Sequence, residues 1–362
     1  MDHPSKMQDR VGLGWRPELA ASIQLHMDEV EVVEVIADNY FRSPKKDRQA
    51  LQWLAEQVPL YLHSVGMGLA SSFNSDMTRV DAMARLVNEV QPVAWSEHLS
   101  FVRSNGIEIG HLASPPRTDA VIRNTARNVQ IASLTVGSIP HLENIATLVV
   151  PPGSDYDEME WISRSIDICN APLMLDLHNL YANAVNNHRD PLEELLELPL
   201  HRVSVVHLSG GVMMEHASGE SKLLDDHLHD VPKIVFELLT ALAERVTQPL
   251  HVLIERDGHY PSFEVLRDQL KQAKCALQSG RRHPVPFIPK QYIVTSRPVT
   301  SEDQRVAQEL EFELARLYAG KKLMNDSPVS HIAGDLTGLE MAIRSHAHKR
   351  NKVAHHRQDA VT

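Results

Sequence analysis

Residues 171–183 read Ala171-Pro172-Leu173-Met174-Leu175-Asp176-Leu177-His178-Asn179-Leu180-Tyr181-Ala182-Asn183. An apolar run that opens after a proline and breaks off at Asp176, His178 and Asn179 has the pattern of a strand buried on both faces, with its polar groups at the C-terminal end. The same grammar recurs on either side. Val203 to His207 and Val58 to His63 end at imidazoles, Leu250 to Glu255 ends at a carboxylate, and Val93 to His98 ends at another imidazole. Val11 to Trp15 reads as a first strand. Val30 to Ile36, rich in β-branched residues, reads as a second with the polar exit Ala37-Asp38-Asn39. Ile139 to Ile145, carrying Glu143, reads as a fifth in spite of Pro140, which a central strand tolerates poorly.

Between these strands lie segments of helical spacing: a turn opened by Pro17 and Glu18, then Lys45 to Gln57, Asp76 to Val90, Arg117 to Leu134, Asp157 to Asn170, Pro191 to Glu197 and Pro232 to Arg245. In Asp76 to Val90 the residues Met77, Val80, Met83, Ala84 and Val87 fall on one face. Eight strands alternating with helices over roughly 250 residues predict an α/β fold, a (β/α)8 TIM barrel with its chemistry at the C-terminal strand ends. A doubly wound open sheet is the alternative, but no Gly-x-Gly-x-x-Gly follows the first strand to hold a dinucleotide.

The predicted organisation is a TIM-barrel metal-binding catalytic domain over residues 1–279, a linker and helical extension over 280–343, and a disordered basic tail over 344–362. Pro284, Pro286 and Pro289 mark the linker. Ser301 to Tyr318 reads as a helix, with Ser301 and Gln304 spaced as a capping box and Gly320 placed to end it. Val306, Leu310, Leu314 and Leu317 form its apolar stripe, and Glu302, Glu309, Glu311 and Glu313 are expected on its charged faces. That stripe needs a partner, either the outside of the chain's own barrel or a protein or peptide docked near the barrel mouth. Arg344, Lys349, Arg350, Lys352 and Arg357 against Asp359 make the tail basic enough to attract an acidic partner.

The chain has 362 residues, with Lys+Arg 36 against Asp+Glu 47 and a formal net charge of −11. This balance argues against nucleic acid and anionic membranes as partners. No apolar run approaches the ~20 residues of a membrane span, and Met1 to Arg10 is too polar for a signal peptide. Cys169 and Cys275 lack Cys-x-x-Cys spacing, which fits a reducing, cytoplasmic compartment and no thiolate-rich zinc site.

The candidate chemistry sits at the strand ends: His63, His98, Glu143, Asp176, His207 and Glu255, joined by Asp225 and His227 from the loop after the seventh strand. Any one of them alone would be read as a hydrogen-bonded structural residue. Glu97 and Asp257 read as salt-bridge partners, His141, His188 and His201 as surface residues, and spacing alone does not separate Asp225 from Asp226. Together, four imidazoles and four carboxylates exceed the needs of one ion, and the carboxylates would repel one another without cations. Two or three cations resolve this, with Glu143 or Glu255 able to bridge, and the mixed ligand set suits iron, manganese or zinc.

The segments Leu62-His63-Ser64-Val65-Gly66, Ser96-Glu97-His98-Leu99-Ser100, Leu142-Glu143-Asn144, Leu175-Asp176-Leu177-His178-Asn179, Val206-His207-Leu208-Ser209-Gly210, Asp225-Asp226-His227-Leu228-His229-Asp230-Val231-Pro232 and Leu253-Ile254-Glu255-Arg256-Asp257 resemble, in order, the motifs of the multinuclear non-haem iron-dependent oxidative enzymes. That family includes the catalytic oxidase subunit of methanobactin biosynthesis, and the resemblance covers about Val11 to Arg267. It implies a TIM barrel, two or three iron ions, and dioxygen as co-substrate. It also implies a ribosomally made precursor peptide modified commonly at cysteine, and a separate partner protein that presents the peptide. It assigns His63, His98, Glu143, Asp176, His207, Asp225, His227 and Glu255 as iron ligands, preferring Asp225 to Asp226 through the family's Asp-x-His spacing. His178 stands where the family usually has Asn, and could add a ligand. The rival readings are a divalent-metal TIM-barrel hydrolase or isomerase, and a non-catalytic metal-binding or docking protein.

Overall fold

The computed structural model describes residues 8–215, 221–292, 298–324 and 327–332. The expected basic tail after Ile343 lies outside them. Among the described residues no helix is long and apolar enough to cross a membrane.

Among the described residues twelve strands form in chain order: β1 (Arg10–Trp15), β2 (Val33–Ile36), β3 (Leu60–Ser64), β4 (Ala94–His98), β5 (Phe101–Ser104), β6 (Ile107–Ala113), β7 (His141–Glu143), β8 (Leu173–Asp176), β9 (Val203–Leu208), β10 (Gly211–Glu215), β11 (Ser221–Asp225) and β12 (His251–Ile254). Eight of them close a barrel in the order β1-β12-β9-β8-β7-β4-β3-β2, and every pair within it is parallel. The expected (β/α)8 barrel is therefore the fold. The remaining strands form two antiparallel hairpins, β5–β6 and β10–β11.

The helices are α1 (Ala20–Leu25), α2 (Lys45–Gln57), α3 (Met77–Val90), α4 (Asp119–Val136), α5 (Glu158–Cys169), α6 (Leu177–Asn186), α7 (Pro191–Glu197), α8 (Lys233–Arg245), α9 (Phe263–Arg282) and α10 (Ser301–Tyr318). Several start where a side chain takes an orphan amide: Asp76, Thr118, Asp157 and Asp176 each accept from a first-turn N–H. Pro140 shortens the fifth barrel strand to three residues, since a proline cannot donate to the ladder. The sequence reading did not place α6, α9 or either hairpin.

Parity along the strands builds the barrel interior in layers. Residues two apart face the same way, so His63 stands above Tyr61, His98 above Ser96, Asp176 above Met174, His207 above Val205 and Glu255 above Leu253. Val32, Tyr61, Met174, Val205 and Leu253 form one buried apolar cluster beneath the polar layer. The larger core lies between the strands' outer faces and the helices, and includes Leu62, Trp95, Leu142, Leu175, Val206 and Ile254. His141, expected at the surface, is partly buried at the lower end of the barrel with its Nε2 2.9 Å from Ser204 Oγ. Strand parity puts it on the interior face, two residues before Glu143. His188 and His201 are exposed as expected.

Helix α9 packs on α8, β1 and β12 as part of the barrel's outer layer, and α10, in the extension, packs on the β5–β6 hairpin and α4. Its cap differs from the expected one. Thr300 and Asp303, one residue earlier than Ser301 and Gln304, form the capping box. Its buried face differs too, because Val306 is 42% exposed while Glu311 and Glu313 are buried. Both carboxylates have partners that make burial tolerable: Glu311 accepts from Ser71 Oγ (2.7 Å) and Ser72 N (2.6 Å), and Glu313 from Met324 N (3.0 Å).

Candidate metal centre

The eight predicted residues come together at the C-terminal mouth of the barrel, where their elements end. His63 from β3 turns Nδ1 to Ser96 Oγ at 2.8 Å, which leaves Nε2 facing Glu143 Oε2 at 3.5 Å. His98 from β4 places its Nε2 3.4 Å from the same oxygen. Glu143 Oε1 lies 3.0 Å from His207 Nδ1, which is also 3.3 Å from Glu255 Oε2. Asp176 caps α6 with Oδ1, 2.7 Å from Asn179 N, and directs Oδ2 elsewhere.

At the barrel mouth two groups of side chains have donor atoms close enough to share an ion: His63, His98 and Glu143, and Glu143, Asp176, His207 and Glu255. Glu143 belongs to both. All six residues are buried. A third array continues from Glu255, whose Oε2 is 3.4 Å from His227 Nδ1, while His227 Nε2 is 2.8 Å from Asp225 Oδ2. Asp225 Oδ1 takes up His178 Nδ1 at 2.8 Å and Ser209 Oγ at 3.1 Å. Asp226 turns to Leu228 N and His229 Nδ1, both at 2.9 Å. His178 therefore meets the site through Asp225, and its other nitrogen packs against Gly211, where a Cβ would come within 3.0 Å of Nε2.

The donor set fits metal ions. Glu143 Oε2 and Asp176 Oδ2 are buried carboxylate oxygens without a hydrogen-bond partner among the described residues, a costly arrangement in a protein interior. The spacings of 3.4 and 3.5 Å from Glu143 Oε2 to two imidazole nitrogens are too long for good hydrogen bonds. They match what two ligands of one ion require, since bonds of about 2.1 Å at tetrahedral or octahedral angles separate ligand atoms by about 3.0–3.5 Å.

Electrostatics point the same way. Burial opposes ionisation of Glu143, yet His207, His98 and His63 together hold its carboxyl below the usual range. For Glu255 burial is likewise overcome, by His207, His227 and Arg16, and for Asp225 by His227 and His178. Asp176 yields: burial, reinforced by Asp225 and Glu143, pushes it well above the ordinary range. Burial disfavours the charged form of His98, but Glu143 and Glu97 raise it to about 9. Against burial, Glu255 and Glu34 hold His207, and Asp225 and Glu255 hold His227, well above the usual imidazole range, so an entering cation would compete with protons for these nitrogens.

Four residues outside the predicted set complete the site. Glu34, in the middle of β2, accepts from His207 Nε2 at 3.0 Å, and both side chains are fully buried. This leaves Nδ1 as the nitrogen turned to Glu143 and Glu255. A glutamate inside a strand buried on both faces was the available signal. Arg16, just after β1, reaches Asp257 at 2.7 Å and Glu255 at 3.6 Å, offsetting charge at the rim. Ser96 orients His63, as described. Glu97 spends its oxygens on the Met67 and His98 amides, both at 2.9 Å.

Above the polar floor opens a cavity of about 530 Å³, floored by His63, His98, Glu143, His227 and Glu255. Its walls include the β5–β6 hairpin and residues 145–149, where Val102, Leu112, Ala113, Ile145, Leu148 and Val149 are apolar, with the charged Arg79, Arg103 and Glu108 also on the lining.

A family model described as RiPP precursor modification enzyme MbnB/TglH/ChrH matches residues 10–278. Among curated relatives, a UPF0276 protein of Streptomyces avermitilis is 31% identical over 276 residues, 74% of this chain and 55% of the relative. The chain thus spans about half the length of that relative. A UPF0276 protein of Bordetella bronchiseptica is 29% identical over 271 residues, 75% of this chain and 93% of the relative. Among solved structures, a xylose isomerase-like TIM barrel/4-hydroxyphenylpyruvate dioxygenase fusion protein superposes with a TM-score of 0.51 at 12% identity, covering 77% of this chain and 45% of that one. This likeness is one of fold. With a closed parallel barrel and a family match that takes in every strand of it, the chain belongs to the RiPP precursor modification enzyme family MbnB/TglH/ChrH.

Proposed function

We propose that this chain is a multinuclear iron enzyme that uses dioxygen to modify a cysteine-containing, ribosomally made peptide, presented by a separate partner protein. The observation that carries the reading is Glu143, a buried carboxylate shared by two potential ion sites at the floor of a cavity, in a chain of a precursor-modifying family. His63, His98 and Glu143 would hold one ion, and Glu143, Asp176, His207 and Glu255 a second. Asp225 and His227, beside Glu255, would serve a third. Ferrous iron held there would bind a substrate thiolate, lower its pKa and supply electrons to dioxygen. The chain's own residues prepare that chemistry. Ser96 and Glu34 fix which nitrogen of His63 and of His207 faces the floor, and Arg16 offsets the negative charge of Glu255 and Asp257. The apolar walls limit water around the reacting groups, which strengthens every electrostatic contact within.

Anaerobic reconstitution with ferrous iron, followed by a cysteine-containing precursor peptide encoded near the gene and then oxygen, tests the reading. The expected result is a peptide mass change that requires both iron and oxygen. Equal turnover with zinc alone would overturn it in favour of hydrolysis or isomerisation. Glu143→Gln keeps side-chain size but removes charge from both ion sites, so metal content is expected to fall and turnover to be lost in a folded barrel. Metal analysis of the purified variant checks this, and full occupancy would make Glu143 structural.

A further inference from the structure

Helix α10 lies outside the family-matched residues 10–278, yet it packs against two of the segments that line the cavity over the metal centre, the β5–β6 hairpin and the loop after β7. Leu314, Ala315 and Tyr318 pack with Phe101, Ile109 and Ala113 of the β5–β6 hairpin, and Val149 of the opposite wall joins the same cluster. Leu310 fills the space beside Gly153, where φ is +70° and a Cβ would stand 2.6 Å from its Cδ1. Glu311 reaches the segment after β3, accepting from Ser71 Oγ and Ser72 N at 2.7 and 2.6 Å. That segment follows Val65 and Gly66, which also line the cavity. The helix therefore braces the hairpin and the 145–153 loop from behind, and ties both to the loop after β3.

At its last residue the helix does more than brace. Tyr318 itself lines the cavity, and its ring meets the His111 ring edge to face at 4.8 Å between centroids. Ala113 and Val149, which pack in one apolar cluster with Tyr318, also line the cavity. A volume of about 530 Å³ is in the usual range for small ligands and admits a short peptide segment rather than a folded domain. Its floor and its apolar walls thus offer two different environments to neighbouring residues of one peptide.

Resting on the peptide reading above, we propose that the extension sets substrate choice: Tyr318 and His111, held by α10, form a subsite for an apolar side chain next to the residue presented to the metal centre. The occupant follows from continuity, because the subsite is one space with the metal-facing floor of an enzyme from a precursor-modifying family. Burial of a leucine or phenylalanine side chain there gains affinity over a serine by roughly tenfold or more.

The test uses the full chain loaded with zinc, which is redox-silent. The probes are N-acetylated, C-amidated tripeptides with a central cysteine, alanine on one side and serine, leucine or phenylalanine on the other, in both orders. Binding is followed by titration calorimetry or NMR. In one of the two orders, leucine and phenylalanine are expected to bind at least about tenfold more tightly than serine. Tyr318→Ala should bring them down to the serine peptide, with metal content and melting temperature held, while Tyr318→Phe keeps the preference. If Tyr318→Ala does not fold, His111→Ala is read in the same way from the other side of the ring pair. Binding without side-chain preference, or a preference that survives loss of Tyr318, overturns the subsite and leaves the peptide reading standing. No binding of any tripeptide to the zinc-loaded chain overturns the subsite; the peptide reading, in which a partner presents the peptide, stands or falls on the reconstitution with iron and oxygen.

Discussion

Glu34 acts on the candidate metal centre through another side chain, His207, whose Nε2 it holds at 3.0 Å. A carboxylate with no exposure in the middle of a barrel strand is costly unless it is paired, and its partner is the imidazole of His207 at 3.0 Å. Metal-binding histidines commonly donate their other N–H to such a carboxylate, and losing it typically weakens metal affinity about 10–100-fold. Glu34→Ala should show that loss in a titration of metal-free protein with zinc or ferrous iron, and Glu34→Gln, which keeps an acceptor, a smaller one. Unchanged affinity in Glu34→Ala would leave Glu34 a structural residue. His178 is a different case, since it bonds to Asp225 at 2.8 Å and its second nitrogen packs on Gly211. His178→Asn should therefore spare ion binding by His63, His98 and Glu143 and perturb only the array around Asp225, as total metal content and the iron spectrum would register. A lost ion at His63 and His98 would contradict this. The strand-end residues were legible because each interrupts an apolar run. Asp225 and Asp226 were not separable by spacing, because the strand that ends at Asp225 was not read from the sequence, and without it nothing tells which of two adjacent acids turns inward.

At the scale of elements, α10 is docked by a carboxylate that sequence periodicity assigns to solvent. Burial raises the Glu311 carboxyl to about 7, against the lowering effect of Ser71 and Ser72. The folded state then keeps a proton that the unfolded chain releases near the ordinary carboxyl value. The stability linked to Glu311 is present in full below about 4.5 and lost as pH rises through about 7. The melting temperature of wild type relative to Glu311→Gln should fall between those values, and parallel pH profiles would exclude the effect. Thr300→Ala removes the N-cap of the same helix and should cost about 1 kcal/mol, read as faster hydrogen exchange in its first turn. The β5–β6 hairpin had a legible signal in Asn105-Gly106, whose φ values of 43° and 78° suit the tight turn that this dipeptide favours. The β10–β11 hairpin carries no such signal in its described residues. Helix α6 was hidden because it starts directly at Asp176, so that one residue ends a strand and caps a helix.

For the whole molecule, the carboxylates at the mouth favour the protonated imidazoles of His98, His207 and His227, so metal loading is expected to release protons. His98, raised to about 9 by Glu143 and Glu97 against burial, must release its proton to bind an ion. Metal affinity should thus fall as pH is lowered below about 9, with proton release on zinc addition measurable in weakly buffered solution. Proton-free uptake with a flat affinity would contradict this. A hundredfold excess of metal over its Kd should stabilise the fold by about 2.7 kcal/mol, visible as a higher melting temperature. The sequence by itself determined the barrel and named eight of the residues that meet at its mouth. Strands of a parallel barrel are apolar on both faces, so a His, Asp or Glu at the end of such a run marks the mouth. Tertiary structure alone decided how those residues group, with Glu143 shared and Asp225 turned inward, because ligand grouping depends on distances across strands far apart in the chain. It also decided that Glu34 belongs to the site and that α10 lies against the cavity walls. Periodicity can require a helix to bury a face, but what that face meets is set by contacts between segments some 200 residues apart, as Glu311 with Ser71.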